Sequence, residues 1–152
     1  FLTATRGEGI FHSLFHEYGP MAGAIETAEF GSLVSGFTGP ASAYALTNLK
    51  QRGTFFLPPG TEVYDGQVVG EHIRDGDLVV NPIKRKPGTG HRAKPGQDAE
   101  ALPPHRKMSL DDAMEYLSED ELLEVTPESL RIRKKELTHV VRERAAKKAK
   151  AA

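Results

Sequence analysis

The chain has 152 residues, of which 38% are hydrophobic, with no cysteine and a formal net charge of −1. That length buries one modest core, with at most a stub of a second domain. The missing cysteines exclude disulfides, thiolate nucleophiles and cysteine-ligated zinc.

No apolar run approaches the roughly 20 residues that cross a bilayer, and Phe1-Leu2-Thr3 opens no signal-peptide pattern. The chain begins mid-pattern without an initiator methionine, so the expectation is a fragment of a longer protein. In chain order, FLTATRGEGIFHSLFHEYGP predicts the end of one element, a turn at Gly7, and a strand from Ile10 to Tyr18 closed by Gly19-Pro20. Glu29 to Phe37 predicts a second strand. After Gly39-Pro40, Ala41, Tyr44, Ala45 and Leu49 recur at helical spacing, with Arg52 in the last turn and Gly53 at the C′ position.

TFFL, EVY, QVVGE and DLVVNPI follow as short β-branched or aromatic runs, separated by Pro58-Pro59-Gly60, Asp65-Gly66 and Asp75-Gly76. They predict an antiparallel meander or small barrel. The stretch KRKPGTGHRAKPGQ, Lys84 to Gln97, then holds five cations and five Gly or Pro residues, and the connection runs on to Pro103-Pro104. Ordinary connections take about 4 to 6 residues, so a loop this long points to function or disorder. Ser109 caps a helix LDDAMEYL whose Asp111 and Asp112 suit the N-terminal end of the helix dipole. ELLEV and SLRIR read as strands around Thr126-Pro127, with Arg131 and Arg133 leaving the core on one face while Leu130 and Ile132 enter it. A basic helix begins at Thr138 and is expected to fray in AAKKAKAA.

The near-neutral total hides segregation. Residues 1–80 carry four cations and nine anions, residues 81–107 seven and two, residues 108–130 none and eight, and residues 131–152 nine and two. Two basic blocks thus flank an acidic one. Either the acidic block pairs with a basic one inside the fold, or the basic blocks meet a polyanionic partner such as nucleic acid. Composition leaves both readings open.

No Gly-x-x-x-x-Gly-Lys-Ser/Thr occurs, and Gly88-Thr89-Gly90 runs into His91-Arg92, so nucleotide hydrolysis is not encoded in this chain. His12, His16 and Glu17 invite a metal site, but HExxH is absent and no third ligand offers itself, so solvent-facing or core-edge histidines are the simpler reading. No serine sits in a nucleophile elbow. The aromatic residues Tyr18, Tyr44, Phe55, Phe56 and Tyr64 occupy core-like positions, which favours packing over a base-stacking platform. In the loop, Gly and Pro supply reach and local stiffness while Lys84, Arg85, Lys86, Arg92 and Lys94 supply a preferred target. This puts polyanion binding slightly ahead of an inconsequential solvated loop.

FLTATRGEGI, the end of FHEYGP, AYALTNLKQRG, EVYDGQVVGEHIRDGDLVVN, MSLDDAMEYL and DELLEVTPESLRIRKK, in this order over nearly the whole chain, resemble the C-terminal part of the BipA/TypA translational GTPases. The resemblance implies that residues 1–18 end a ferredoxin-like fold similar to domain V of elongation factor G, and that residues 19–152 form the family's own C-terminal ribosome-binding domain. It implies no cofactor in this chain, since GTP and magnesium would bind in an N-terminal domain of the parent. The implied partners are the 70S ribosome, 23S rRNA and the acceptor end of A-site tRNA. Large-subunit assembly, stress-condition translation and a cytoplasmic location are implied with them.

The family's probing loop corresponds to Lys84 through about Gln97. The family commonly has Thr-Asn-Met-Arg-Ala-Ser where this chain has Thr89-Gly90-His91-Arg92-Ala93-Lys94, so Thr89, Arg92 and Ala93 match. RNA contacts are expected from Lys84, Arg85, Lys86, Thr89, His91, Arg92 and Lys94, with Arg131, Arg133, Lys134 and Lys135 as a second basic face. The expected fold is α+β, a mostly antiparallel sheet or partial barrel with short helices, preceded by the ferredoxin-like remnant. Two alternatives stand beside this reading. One is a structural or protein-interaction domain whose basic blocks pair internally, and the other is an enzyme with a pocket around His72 or His12.

Overall fold

The computed structural model describes residues 1, 5, 7–20, 23, 30–86 and 104–150. Strands β1 (Ser32–Ser35), β2 (Gly39–Pro40), β3 (Gly53–Phe55), β4 (Glu62–Val63), β5 (Gln67–His72), β6 (Leu78–Val80), β7 (Glu121–Val125) and β8 (Leu130–Lys134) alternate with helices α1 (Ala43–Leu49), α2 (Leu110–Tyr116) and α3 (His139–Lys150). Six strands make one sheet in the order β6-β1-β5-β8-β7, with β3 also paired to β5, while β2 and β4 form a two-stranded ribbon. The fold is α+β and mostly antiparallel, and the sheet does not close into a barrel.

The central strand is β5, and its sequence shows why. Gln67-Val68-Val69-Gly70 is buried throughout, and its residues feed two cores on opposite faces. Val69, with Leu33, Phe55 and Val80, packs beneath Leu46 of α1. Val68, with Val34 and Ile132, packs against Ala113 of α2. Alternation across the pleat therefore sandwiches the sheet between the two short helices. One edge of β5 is shared: its first residues pair with β8 (Val68 with Ile132) and its last with β3 (Phe55 with Gly70).

This differs from the expected meander. Strands β5 and β6 flank Asp75-Gly76 but are not neighbours, because β1 lies between them, antiparallel to β5 and parallel to β6. A turn signal reports that the chain reverses, and it carries no information about which distant strand enters the gap. Gly53 also has another use than the expected helix C′ residue. The helix ends at Leu49 with Lys50 as its cap, and Gly53 opens β3, where an added Cβ would lie 1.8 Å from the Glu71 carbonyl oxygen. The close approach of β3 to the paired β5 backbone requires the missing side chain.

The expected turn at Gly7 forms, with φ at 81° and the Glu8 N–H donating to the Thr5 carbonyl at 3.1 Å. The strand expected over Ile10 to Tyr18 does not form. Leu14 is 96% and Tyr18 95% exposed, and no strand among the described residues pairs with this stretch. A lone strand leaves its N–H and C=O groups without a ladder, so its pattern is not sufficient to hold it extended. The second expected strand is shorter than Glu29 to Phe37, spanning Ser32–Ser35, and Glu29 falls outside the described residues.

Ser109 caps α2 as expected. Its side chain accepts from the Asp112 N–H at 3.1 Å, and the Asp112 carboxylate accepts from the Ser109 N–H at 3.1 Å, a reciprocal capping box. The Ser109 hydroxyl and N–H hold the Asp112 carboxyl below its usual value. The expected basic helix forms as α3, from His139 to Lys150, and Glu143 pairs one turn away with His139 (3.4 Å) and Lys147 (4.0 Å). Ala, Lys, Arg and Glu favour helix intrinsically, so this segment needs no large apolar side chain to remain helical.

Candidate nucleic-acid interface

Both described stems of the basic connection are anchored by hydrogen bonds, the outgoing one to the cap of α1 and the returning one to β3. On the outgoing side, the Ser42 N–H donates to the Pro82 carbonyl at 2.8 Å and the Ser42 hydroxyl to the Lys84 carbonyl, so the cap of α1 also grips the exit from β6. Ile83 packs into the α1-side core. Lys84, Arg85 and Lys86, directly after this anchor, are exposed. On the returning side, the Arg106 N–H donates to the Phe55 carbonyl at 2.8 Å and Met108 packs into the α2-side core. Thr89, His91, Arg92 and Lys94 lie outside the described residues.

The second expected basic face separates into two kinds of cation. Arg131 and Lys135 are exposed. Arg133 is half-buried, its Nε donating to Glu124 Oε1 at 2.7 Å, while the Tyr64 hydroxyl donates to the other Glu124 oxygen at 2.7 Å. Burial first, then the Glu124 carboxylate, raise the Tyr64 phenol.

Lys134 corrects the expectation of an RNA contact. It is 2% exposed, and its Nζ lies 2.6 Å from Asp77, 3.0 Å from Asp120 and 3.0 Å from Glu121. Glu121 is itself buried and takes further hydrogen bonds from the Ser32 hydroxyl at 2.7 Å and the Ser118 N–H at 3.2 Å. Burial alone would lower the ammonium's pKa, but the Asp77 hydrogen bond and the Glu121 and Asp120 carboxylates overcome it and raise it. Asp120 and Glu121 of the acidic block, together with Asp77 from outside it, thus claim this part of the basic block. The parity of β8 held the clue, since Lys134 shares its face with Leu130 and Ile132, the inward positions.

Two crevices border this surface. One, of about 510 Å³, opens where β3 and β8 divide the edge of β5, and its lining includes Phe56, Met108, Ile132, Lys107 and Arg131. The other, of about 1040 Å³, separates α3 from Phe30 and Val79 and includes Lys135 and Arg142. Neither includes His12 or His72. His72 is buried, with Nδ1 2.9 Å from the Gly76 carbonyl. His16 is open to solvent beside Glu17, and among the described residues no three His, Asp or Glu side chains converge as metal ligands. No helix among them is long and apolar enough to cross a membrane.

A family model described as the TypA/BipA C-terminal domain matches residues 30–139, the span that contains the whole sheet. The chain is 48% identical to the large ribosomal subunit assembly factor BipA of Bacillus subtilis, over 100% of this chain and 25% of that protein. Identity is 46% to the protein of that name from Synechocystis, over 88% of this chain and 22% of that protein. It is 44% to the one from Salmonella typhimurium, over 95% and 24%. The chain therefore spans about a quarter of the length of these curated relatives. With a family match across the folded core and a relative 48% identical over the whole of this chain, the chain belongs to the TypA/BipA family and carries its C-terminal domain.

Proposed function

We propose that this chain is the ribosome-binding region of a factor for large-subunit assembly, acting on ribosomal RNA and the acceptor end of A-site tRNA through the segment that begins at Lys84. The observation that carries this reading is the exposed Lys84-Arg85-Lys86 run, anchored through Ser42 at the mouth of a cation-rich connection, in a chain whose relatives are named large ribosomal subunit assembly factors. Such cations bind phosphates without reading sequence, so they set affinity, orientation and salt dependence. The parent protein would be a GTPase, with GTP and magnesium held outside this chain, and it would act in the cytoplasm.

Co-sedimentation with purified 70S ribosomes and separated large subunits, across a salt series, tests the reading. Pelleting should weaken as salt rises, and changing Lys84, Arg85, Lys86, Arg92 and Lys94 to Ser should abolish it. Equal pelleting of that variant would move the contact to Arg131, Lys135 and α3. No pelleting by either protein at low salt would count against ribosome binding by this region.

A second reading, a structural domain whose basic blocks are neutralised internally, draws support from Lys134 among its three carboxylates and from the Arg133–Glu124 pair. It predicts no salt-sensitive binding to ribosomes or RNA.

A further inference from the structure

The crevice at the divided edge of β5 combines features that the basic segment lacks. Its lining includes the half-buried ring of Phe56, with Met108 and Ile132 beside it, and the exposed cations Lys107 and Arg131. Glu128, at the tip of the β7–β8 hairpin, is its one carboxylate. Phe56 meets Tyr116 edge-on, with ring centroids 5.2 Å apart and planes at 84°, a contact that holds the phenylalanine ring in place. The volume, about 510 Å³, falls inside the roughly 300 to 1,000 Å³ range of small-ligand pockets.

We propose that this crevice receives one unstacked base of single-stranded RNA, against Phe56 and Met108, with the flanking phosphates on Lys107 and Arg131. The inference rests on the RNA-binding reading and goes past it, because the cations starting at Lys84 recognise a backbone whereas this crevice recognises a base. Two lines of argument select that occupant. The charge balance, two cations against one carboxylate, suits a phosphodiester on either side of an apolar insert. In addition, Lys107 directly follows Arg106, whose N–H anchors the returning stem to Phe55, so the crevice adjoins the described end of the basic connection. Stacking on an aromatic ring tolerates any base, so the site would choose single strands over duplexes without choosing sequence.

The test is a methyl-labelled sample of the whole chain titrated at low salt with a mixed-sequence hexaribonucleotide, beside an abasic hexamer carrying the same phosphates. The expected result is movement of the Met108 and Ile132 methyl resonances with the base-bearing RNA only, and about tenfold weaker binding of the abasic oligomer. Phe56→Leu should erase that difference. Because Phe56 also packs on Tyr116, Lys107→Ser supplies a change at an exposed position that leaves the fold intact, and it should lower the salt slope by about one. Equal binding of both oligomers with the methyl resonances unmoved would overturn the base site and leave phosphate binding standing. No binding of either would overturn both readings. Methyl changes that follow protein concentration without RNA would assign the crevice to a second copy of the chain and overturn the proposal.

Discussion

The run Lys84-Arg85-Lys86 and the run Arg131 to Lys135 look alike as strings, both dense in cations, yet the fold treats them oppositely. The first follows an anchored strand end and stays in solvent. The second lies on a strand in the sheet, where the pleat turns Lys134 inward to Asp77, Asp120 and Glu121 while Arg131 stays exposed. A cation's availability to a partner thus depends on the element carrying it, and on what lies across the pleat, more than on local charge density.

The sharpest way to break this comparison is Lys134→Met. If the lysine is an internal staple, its loss strands the buried Glu121 carboxylate, and unfolding should require about 3 to 5 kcal/mol less. Urea denaturation measures this directly, and a change near zero would return Lys134 to the accessible cations. The next effect is on alkaline stability. Lys134 is raised above its ordinary 10.5, and burial, helped by Glu121 and opposed by the Ser32 hydrogen bond, pushes the Tyr116 phenol up to about 12 from 10.0. Both groups hold their protons longer in the folded state than in the unfolded one. Their stabilisation is therefore complete below about pH 10 and is lost as pH climbs through the folded values. Melting temperature should fall progressively above pH 10, and less steeply in Lys134→Met.

Arg133→Ala should cost less, about 0.2 to 1 kcal/mol, because its pair with Glu124 is partly open to water. Thermal unfolding of Arg133→Ala beside Glu124→Gln checks whether the two losses overlap. Smallest of all, Lys84→Ser and Arg85→Ser should each change stability by less than about 0.5 kcal/mol, while weakening ribosome pelleting and its salt dependence. A large stability loss there would mean that the first run is structural as well.

Much of the local architecture was legible. The Ser109 cap of α2 and the β7–β8 hairpin around Thr126-Pro127 depend on neighbours a few residues apart, and both form where the pattern puts them, the structure adding the return bond from the Ser109 N–H to Asp112. The strand expected at Ile10 to Tyr18 shows the opposite case, since a strand pattern is a request for a partner that this chain's described residues do not supply. Gly53 shows a third, in which one residue type serves two purposes and only the carbonyl of Glu71 above it reveals which one operates. In the candidate interface, the exposure of Lys84 to Lys86 followed from their position after a strand and before glycines and prolines. The capture of Lys134 did not, although its parity with Ile132 was already visible.

By itself the sequence determined the period of most elements, the Ser109 cap, the Asp-Gly turns, the segregation of charge and the family, because these reside in neighbouring residues or in their order. Tertiary structure alone decided that β1 enters between β5 and β6, that β3 and β8 divide one edge to open a crevice beside Phe56, and that three carboxylates remote from one another converge on Lys134. Those choices are made by non-local pairing, where a buried charge must find its counterion and an open strand edge its neighbour, and no short window of residues contains both partners.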